Sequence, residues 1–289
     1  MELKKSQNFS PLIVYPAEAP RASALLMSLF QHKVTIIGCG CLGLSILEAV
    51  YYQGHHITAT RTEKSASELE VLHKFYTGIR TTTSNREAVK NANVILLCVK
   101  PYAISDVCDE IRDSLSGQLV ISSAAKKTIL EIQEYLGGYA KVARIMTGLF
   151  AREEIVYYSL GKNCSSIDEV VVSSLFKKSR RVEEQILAHR TQAACDIGII
   201  ALDIEARIKE LSALGLEEKD GRILYGGILQ AIGKRLEQGF TGEELYNLVT
   251  GRSIESFTAK IRKTLEEGGH YDRIRDMVRK TVEALNGIT

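Results

Sequence analysis

The sequence predicts an α/β protein in two parts, a doubly wound N-terminal sheet followed by an all-helical region. Three observations lead there. Residues 34–37 form a short β-branched run that passes at once into the spacing G-x-G-x-x-G at Gly38, Gly40 and Gly43, with a helical pattern behind it. From there to about residue 145, short apolar runs alternate with helical periods, an order that requires parallel strands joined by right-handed crossovers. Beyond about Ile167 strand patterns fade and helical ones dominate. At 289 residues the chain exceeds one typical domain. We therefore expect an extension at 1–32, a sheet domain at 33–164 and a helical domain at 165–289.

Three of the four prolines, Pro11, Pro16 and Pro20, precede any regular periodicity, with room for a short helix at 22–30. The first strand, 34–37, is uncharged and suits burial on both faces of a parallel sheet. Leu42, Ile46, Leu47, Ala49 and Val50 then carry a helix as far as Gly54. A strand at 56–60 and a helix at 65–75 follow, the latter with Leu69, Leu72 and Phe75 on one face. Residues 78–80 read as a short strand and 85–90 as a short capped helix. The run NVILLCV at 93–99 is a buried strand closed by Pro101, which cannot continue a ladder. Helices at 102–115 and 128–136 alternate with strands at 118–122 and 140–145.

In the last part, a helix at 223–236 contains Gly226, Gly227 and Gly233. Each costs roughly 1 kcal/mol relative to alanine, so these positions are expected to allow close helix approach. The final helix shows an apolar face of Ile274, Met277, Val278, Val282 and Leu285. Faces this broad fit either association with a second copy or one intramolecular bundle.

The glycine spacing carries chemistry. The first glycine permits a tight turn, the second lets backbone approach a pyrophosphate, and the third lets helix and strand pack closely. Free amides at the helix start then face the anion. The sheet domain thus reads as a dinucleotide-binding Rossmann domain, with Gly38, Cys39, Gly40, Cys41, Leu42 and Gly43 as the phosphate loop. About twenty residues on, where an NAD enzyme places an acid on the ribose 2′-hydroxyl, the chain reads Thr60, Arg61 and Thr62. A guanidinium flanked by hydroxyls suits a 2′-phosphate, which predicts NADP(H) as cofactor; the bland reading of Arg61 is a solvated loop arginine. Val99, Lys100 and Pro101 lie at another strand end, and all three segments converge on the crevice at the carboxyl edge of the sheet.

A net charge of +2 with interspersed signs offers no footprint for nucleic acid or an anionic membrane. The cysteines at 39, 41, 98, 108, 164 and 195 show no C-x-x-C spacing, so we expect reduced thiols, no metal site and a cytoplasmic location. The apolar stretch at 22–30 is too short to span a bilayer and lacks a basic run before a cleavage site, so a soluble protein is expected.

The order of elements over roughly 33–286 resembles pyrroline-5-carboxylate reductase, a family with a Rossmann domain and a C-terminal helical dimerisation domain. The firmest points are the glycine loop, Val99-Lys100-Pro101, and Arg144-Ile145-Met146, with Glu184 and Thr191 at the family's spacing of glutamate and threonine. The resemblance implies an NADPH-dependent reduction of a cyclic imine to proline by a homodimer or larger homo-oligomer. Three segments depart. The family's P-N-T-P is replaced by Thr147-Gly148-Leu149-Phe150, its S-G-S-G-P turn by Ala194-Cys195-Asp196-Ile197-Gly198, and its S-P-G-G-T-T by the stretch from Gly251 to Ser256. Asp196 thereby puts a negative charge where a substrate carboxylate is expected.

Hydride transfer asks the protein to orient a nicotinamide and to supply one donor to the atom that gains charge. Thr191 is the donor the resemblance implies, or else a hydroxyl capping a helix start. Lys100 lines the nicotinamide side or is a surface lysine at a strand end. His189 is tempting as a general acid but reads better as a surface histidine. Arg252 is a candidate clamp for a substrate carboxylate. Three functions remain open on sequence: reduction of pyrroline-5-carboxylate, reduction of another small imine or carbonyl on the same architecture, and non-catalytic NADP binding.

Overall fold

The structure is a computed structural model that describes residues 31–251 and 254–287. The 22–30 helix and the proline-rich extension lie outside the described residues, as does Arg252. The described chain falls into two compact units that divide between Leu187 and Ala188.

The first unit is built on one eight-stranded sheet of order β3-β2-β1-β4-β5-β6-β7-β8. The strands are β1 (Lys33–Ile37), β2 (His56–Thr60), β3 (Arg80–Thr82), β4 (Val94–Leu97), β5 (Leu119–Ser122), β6 (Lys141–Met146), β7 (Val156–Leu160) and β8 (Ser179–Arg181). All neighbours pair in parallel except β6 with β7. Helices α1 (Cys41–Tyr51), α2 (Ala66–Phe75), α3 (Asn85–Lys90), α4 (Ile104–Ile111), α5 (Ile129–Tyr135) and α6 (Ser166–Ser174) supply the crossovers and cover the faces.

Strand alternation sorts the core into two layers. Ile36, Leu96, Ile121 and Ile145 pack on one face with Ile46, Leu47 and Val50 of α1 and Leu69 and Leu72 of α2. Ile37, Ile95, Leu97 and Val120 turn to the other face, against Ile104 and Ile111 of α4 and Ile129 and Ile132 of α5. Most of these side chains are fully buried, each contributing roughly 1.5–3 kcal/mol of transfer free energy.

Three differences from the sequence reading have physical causes. The third strand lies at 80–82, not 78–80, because Gly78 turns the chain at φ +80° before it. The 165–187 stretch, expected in the helical domain, contributes α6 and β8 beside the sheet, β8 pairing with β7. Its strand is three mostly exposed residues, too short and too polar to show a period. Strand β7, VYYSL, was not anticipated either; it extends the sheet beyond the parallel part by an antiparallel pair with β6.

The second unit holds most of α7 (Leu187–Ala213), which starts one residue before it, and α8 (Glu218–Glu237), α9 (Gly242–Thr250), α10 (Phe257–Glu267) and α11 (His270–Leu285). Among the described residues the expected close approach at three glycines of α8 does not occur. A Cβ at Gly226, Gly227 or Gly233 meets nothing within 4 Å, whereas one at Gly221 would sit 3.0 Å from Ile208 of α7. Among the described residues no helix is long and apolar enough to cross a membrane.

Candidate functional site

The site starts where β1 ends. Gly38 takes φ +92°, and a side chain there would collide with the Val99 Cγ1 at 2.6 Å and the Cys98 carbonyl oxygen at 2.9 Å. Its amide and that of Cys39 both donate to the Thr60 carbonyl, at 3.2 and 3.1 Å, which ties the loop to the end of β2. Gly43 is closed in as well, since its Cβ would lie 2.2 Å from the Gly38 carbonyl oxygen. Gly40, the extended residue before α1, differs from both: no described residue lies within 4 Å of its missing side chain.

No side chain caps α1 and no acid sits in its first turn. The turn, the close contact and the open face thus fall on the first, third and second glycines in the order a pyrophosphate cradle requires. The residues fit a dinucleotide. Cys39 contributes backbone only, because its thiol is buried against the Ile36 carbonyl and burial drives its pKa far up. Burial likewise pushes the Cys98 thiol up to about 12. Cys41 is exposed at the first residue of α1, and Leu42 half-buries itself against the core.

The end of β2 corrects one expectation. Thr60 is fully buried and its hydroxyl donates to Asn85 Oδ1 at 2.6 Å, so it is spent inside the fold and not on a ribose phosphate. Asn85 in turn donates to Glu110 at 2.8 Å. Sequence reasoning missed Asn85, whose only signal was its place at the start of a short helix. Arg61 is an ion-pair partner of Glu68 on α2, with its side chain 14% exposed against 39% for the carboxylate. Thr62 is exposed and extended ahead of a 3₁₀ turn at Glu63–Ser65.

At the end of β4, Val99 packs at the rim of the core and Lys100 is exposed. Pro101 starts a 3₁₀ turn into α4, and Tyr102 is 83% exposed. Because β1 lies between β2 and β4, these three strand ends are neighbours at one edge of the sheet. The loop after β6 joins the same edge, where the Ala151 amide donates to Ser45 of α1 at 2.9 Å. In it Thr147 is buried with its hydroxyl unpartnered, and Glu154 accepts from the amides of Gly148 and Phe150.

Glu184 has a structural task. One oxygen accepts from Arg144 at 2.8 Å and from the Ile129 amide at 2.7 Å, fastening β6 and the start of α5 just ahead of α7. In the second unit, Thr191 lies past the first turn of α7, half-buried, so its hydroxyl does not cap the helix. His189 is exposed. Residues 194–198, where the resemblance implied a glycine-rich turn, run inside α7 without interruption. Their amides belong to the helical ladder and cannot hold a carboxylate as a turn does. Asp196 accepts from Gln192 at 2.9 Å, which partly satisfies its charge. Among the described residues no group of three or more His, Cys, Asp or Glu side chains could hold a metal.

Comparison with known proteins agrees with this arrangement. The family model described as NADP oxidoreductase, coenzyme F420-dependent, matches residues 33–126. Pyrroline-5-carboxylate reductase of Kluyveromyces lactis is 25% identical over 236 residues, covering 72% of this chain and 80% of that protein. The Schizosaccharomyces pombe enzyme of the same name is 25% identical over 269 residues, 81% of this chain and 94% of that protein. Pyrroline-5-carboxylate reductase 2 of Macaca fascicularis is 30% identical, and the match spans 52% of its length. A pyrroline-5-carboxylate reductase structure from Coxiella burnetii superposes with a TM-score of 0.71 at 25% identity, over 89% of this chain and 97% of that one. The Plasmodium falciparum structure shares the fold at TM-score 0.75 and 20% identity, over 89% and 97%.

Proposed function

We infer that this chain, a divergent member of the pyrroline-5-carboxylate reductase family, reduces a carbon–nitrogen double bond with a nicotinamide dinucleotide, and that its substrate is pyrroline-5-carboxylate with NADPH as the favoured donor. The observation that carries the reading is the glycine loop, closed at Gly38 and Gly43 and open at Gly40. When bound, the reduced nicotinamide supplies hydride to the imine carbon, and the imine nitrogen takes up a proton.

The chain's own residues bind and orient. The start of α1 receives the pyrophosphate, Arg61 and Thr62 receive the 2′-phosphate of the adenosine, and Val99 to Pro101 line the nicotinamide side. Thr191 donates to the nitrogen as its charge changes. Arg252 takes over the substrate carboxylate in place of the missing turn amides, with Asp196 restrained by Gln192. Two copies associate through the helical unit: Ile223, Leu224, Ile228, Leu229, Ile232 and Leu236 of α8 are 40–66% exposed, on the helix whose Gly226, Gly227 and Gly233 have no described neighbour within 4 Å. Six free cysteines suit a reducing, cytoplasmic compartment.

The test is oxidation of NADPH in the presence of pyrroline-5-carboxylate by the wild type and by Thr191→Val. Loss of a hydrogen bond made in the transition state lowers turnover by about a hundredfold. No turnover above background in a folded, NADPH-binding wild type rejects the reaction; turnover untouched by Thr191→Val keeps the reaction and removes Thr191 from it.

A further inference from the structure

The pair formed by Arg61 and Glu68 stands beside an open capping position. Ser65 and Glu68 stand in the S-x-x-E spacing of a capping box, in which the acid reaches back to the N-cap amide. Among the described residues three such boxes close fully: Thr128 with Glu131, Ser165 with Asp168, and Thr241 with Glu244. At the start of α2 the box stays open. Ser65 makes no side-chain cap, its amide goes to the Thr62 carbonyl at 2.9 Å, and Glu68 turns away from its own helix to Arg61. The carboxylate that sequence spacing could not find at the end of β2 is therefore present there in space, brought by α2.

We propose that Glu68 is a specificity-determining residue that lets the site accept both phosphorylated and unphosphorylated dinucleotides, its carboxylate taking the ribose 2′-hydroxyl of NADH and yielding Arg61 to the 2′-phosphate of NADPH. The proposal rests on the reading of Arg61 as the 2′-phosphate ligand. A carboxylate accepts a hydrogen bond from a hydroxyl and repels a phosphate, so one group acts in opposite directions on the two cofactors. NADPH must displace Glu68 from the guanidinium before it gains a charge-assisted pair of its own. The released carboxylate has the unused Ser65 cap on its own helix to return to. Glu68 thus narrows the preference that Arg61 alone would give.

Glu68→Gln removes the charge and keeps the size, at a position exposed enough to tolerate it. Dissociation constants for NADPH and NADH are measured by calorimetry on the full chain for the wild type, Glu68→Gln and Arg61→Ala, with thermal midpoints as a check on folding. NADPH tightening and NADH weakening in Glu68→Gln, shifting their ratio by about tenfold, is the expected result. A ratio unchanged in Glu68→Gln, while Arg61→Ala still loses NADPH affinity, overturns the role of Glu68 and leaves that of Arg61. NADPH affinity unchanged in Arg61→Ala overturns the reading of Arg61 and this proposal with it.

Discussion

A methyl group at Gly43 would sit 2.2 Å from a backbone oxygen, whereas at Gly40 it would meet no described residue within 4 Å. Gly43→Ala should therefore cost about 1–3 kcal/mol through forced backbone shifts, measured by urea unfolding. Gly40→Val should unfold near the wild-type midpoint but lose the rise in melting temperature that NADPH gives a native-state binder. His55 is a second residue with a readable consequence. Its Nδ1 accepts from the His32 amide at 3.2 Å, so the proton sits on Nε2 and points to the Ser174 carbonyl at 3.1 Å. Burial holds its pKa below the usual histidine value, and lowers that of His32, which stacks on it at 5.3 Å between centroids. The unfolded chain thus binds protons first, so stability is full above about pH 6.5 and declines as pH falls below it. Melting from about pH 8 to about pH 5 should show that decline, and His55→Gln should flatten it. The glycines were legible because their spacing is a backbone requirement. The Thr60 hydroxyl was not, since spacing says what stands at a strand end but not which face it turns to; here Ala59 enters one core layer and Thr60 turns to Asn85.

Among the elements, α5 was legible from its start, since the sequence places a helix at 128–136 and Thr128 closes a capping box there. Thr128→Ala should cost about 1 kcal/mol, and because Glu131 loses a partner, Lys127 is left with a looser pair; urea unfolding measures the loss. The strands β1, β4 and β5 were readable as mostly apolar runs because they are buried on both faces almost throughout. Strand β8 and the long helix α7 were not. β8 is polar and three residues long, and α7 mixes Asp196, Gly198 and the exposed Ile199, Ile200 and Leu202 in a way that breaks the apolar period. Within that same helix a continuous ladder runs through 194–198, where the resemblance implied a turn.

For the whole molecule, the proposed association of two copies rests on the apolar side chains left exposed on α8. Light scattering should give about 64 kDa, twice the chain mass of 32.0 kDa, and Ile228→Glu with Ile232→Glu should return it toward the mass of one chain. The division into a sheet unit and a helical unit followed from the fading of strand patterns, but the border did not, because residues 165–187 pack by pairing that no local period reports. The strand order also fixes when the nucleotide site comes into being. Val34 aligns with Ile57 on one side and with Val94 on the other, so the cradle is incomplete until distant segments have met. Contacts of that range form late and slowly. NADPH added during refolding should therefore leave the rate of folding unchanged and slow only the reverse step, and stopped-flow traces in both directions would show whether time is divided in that way.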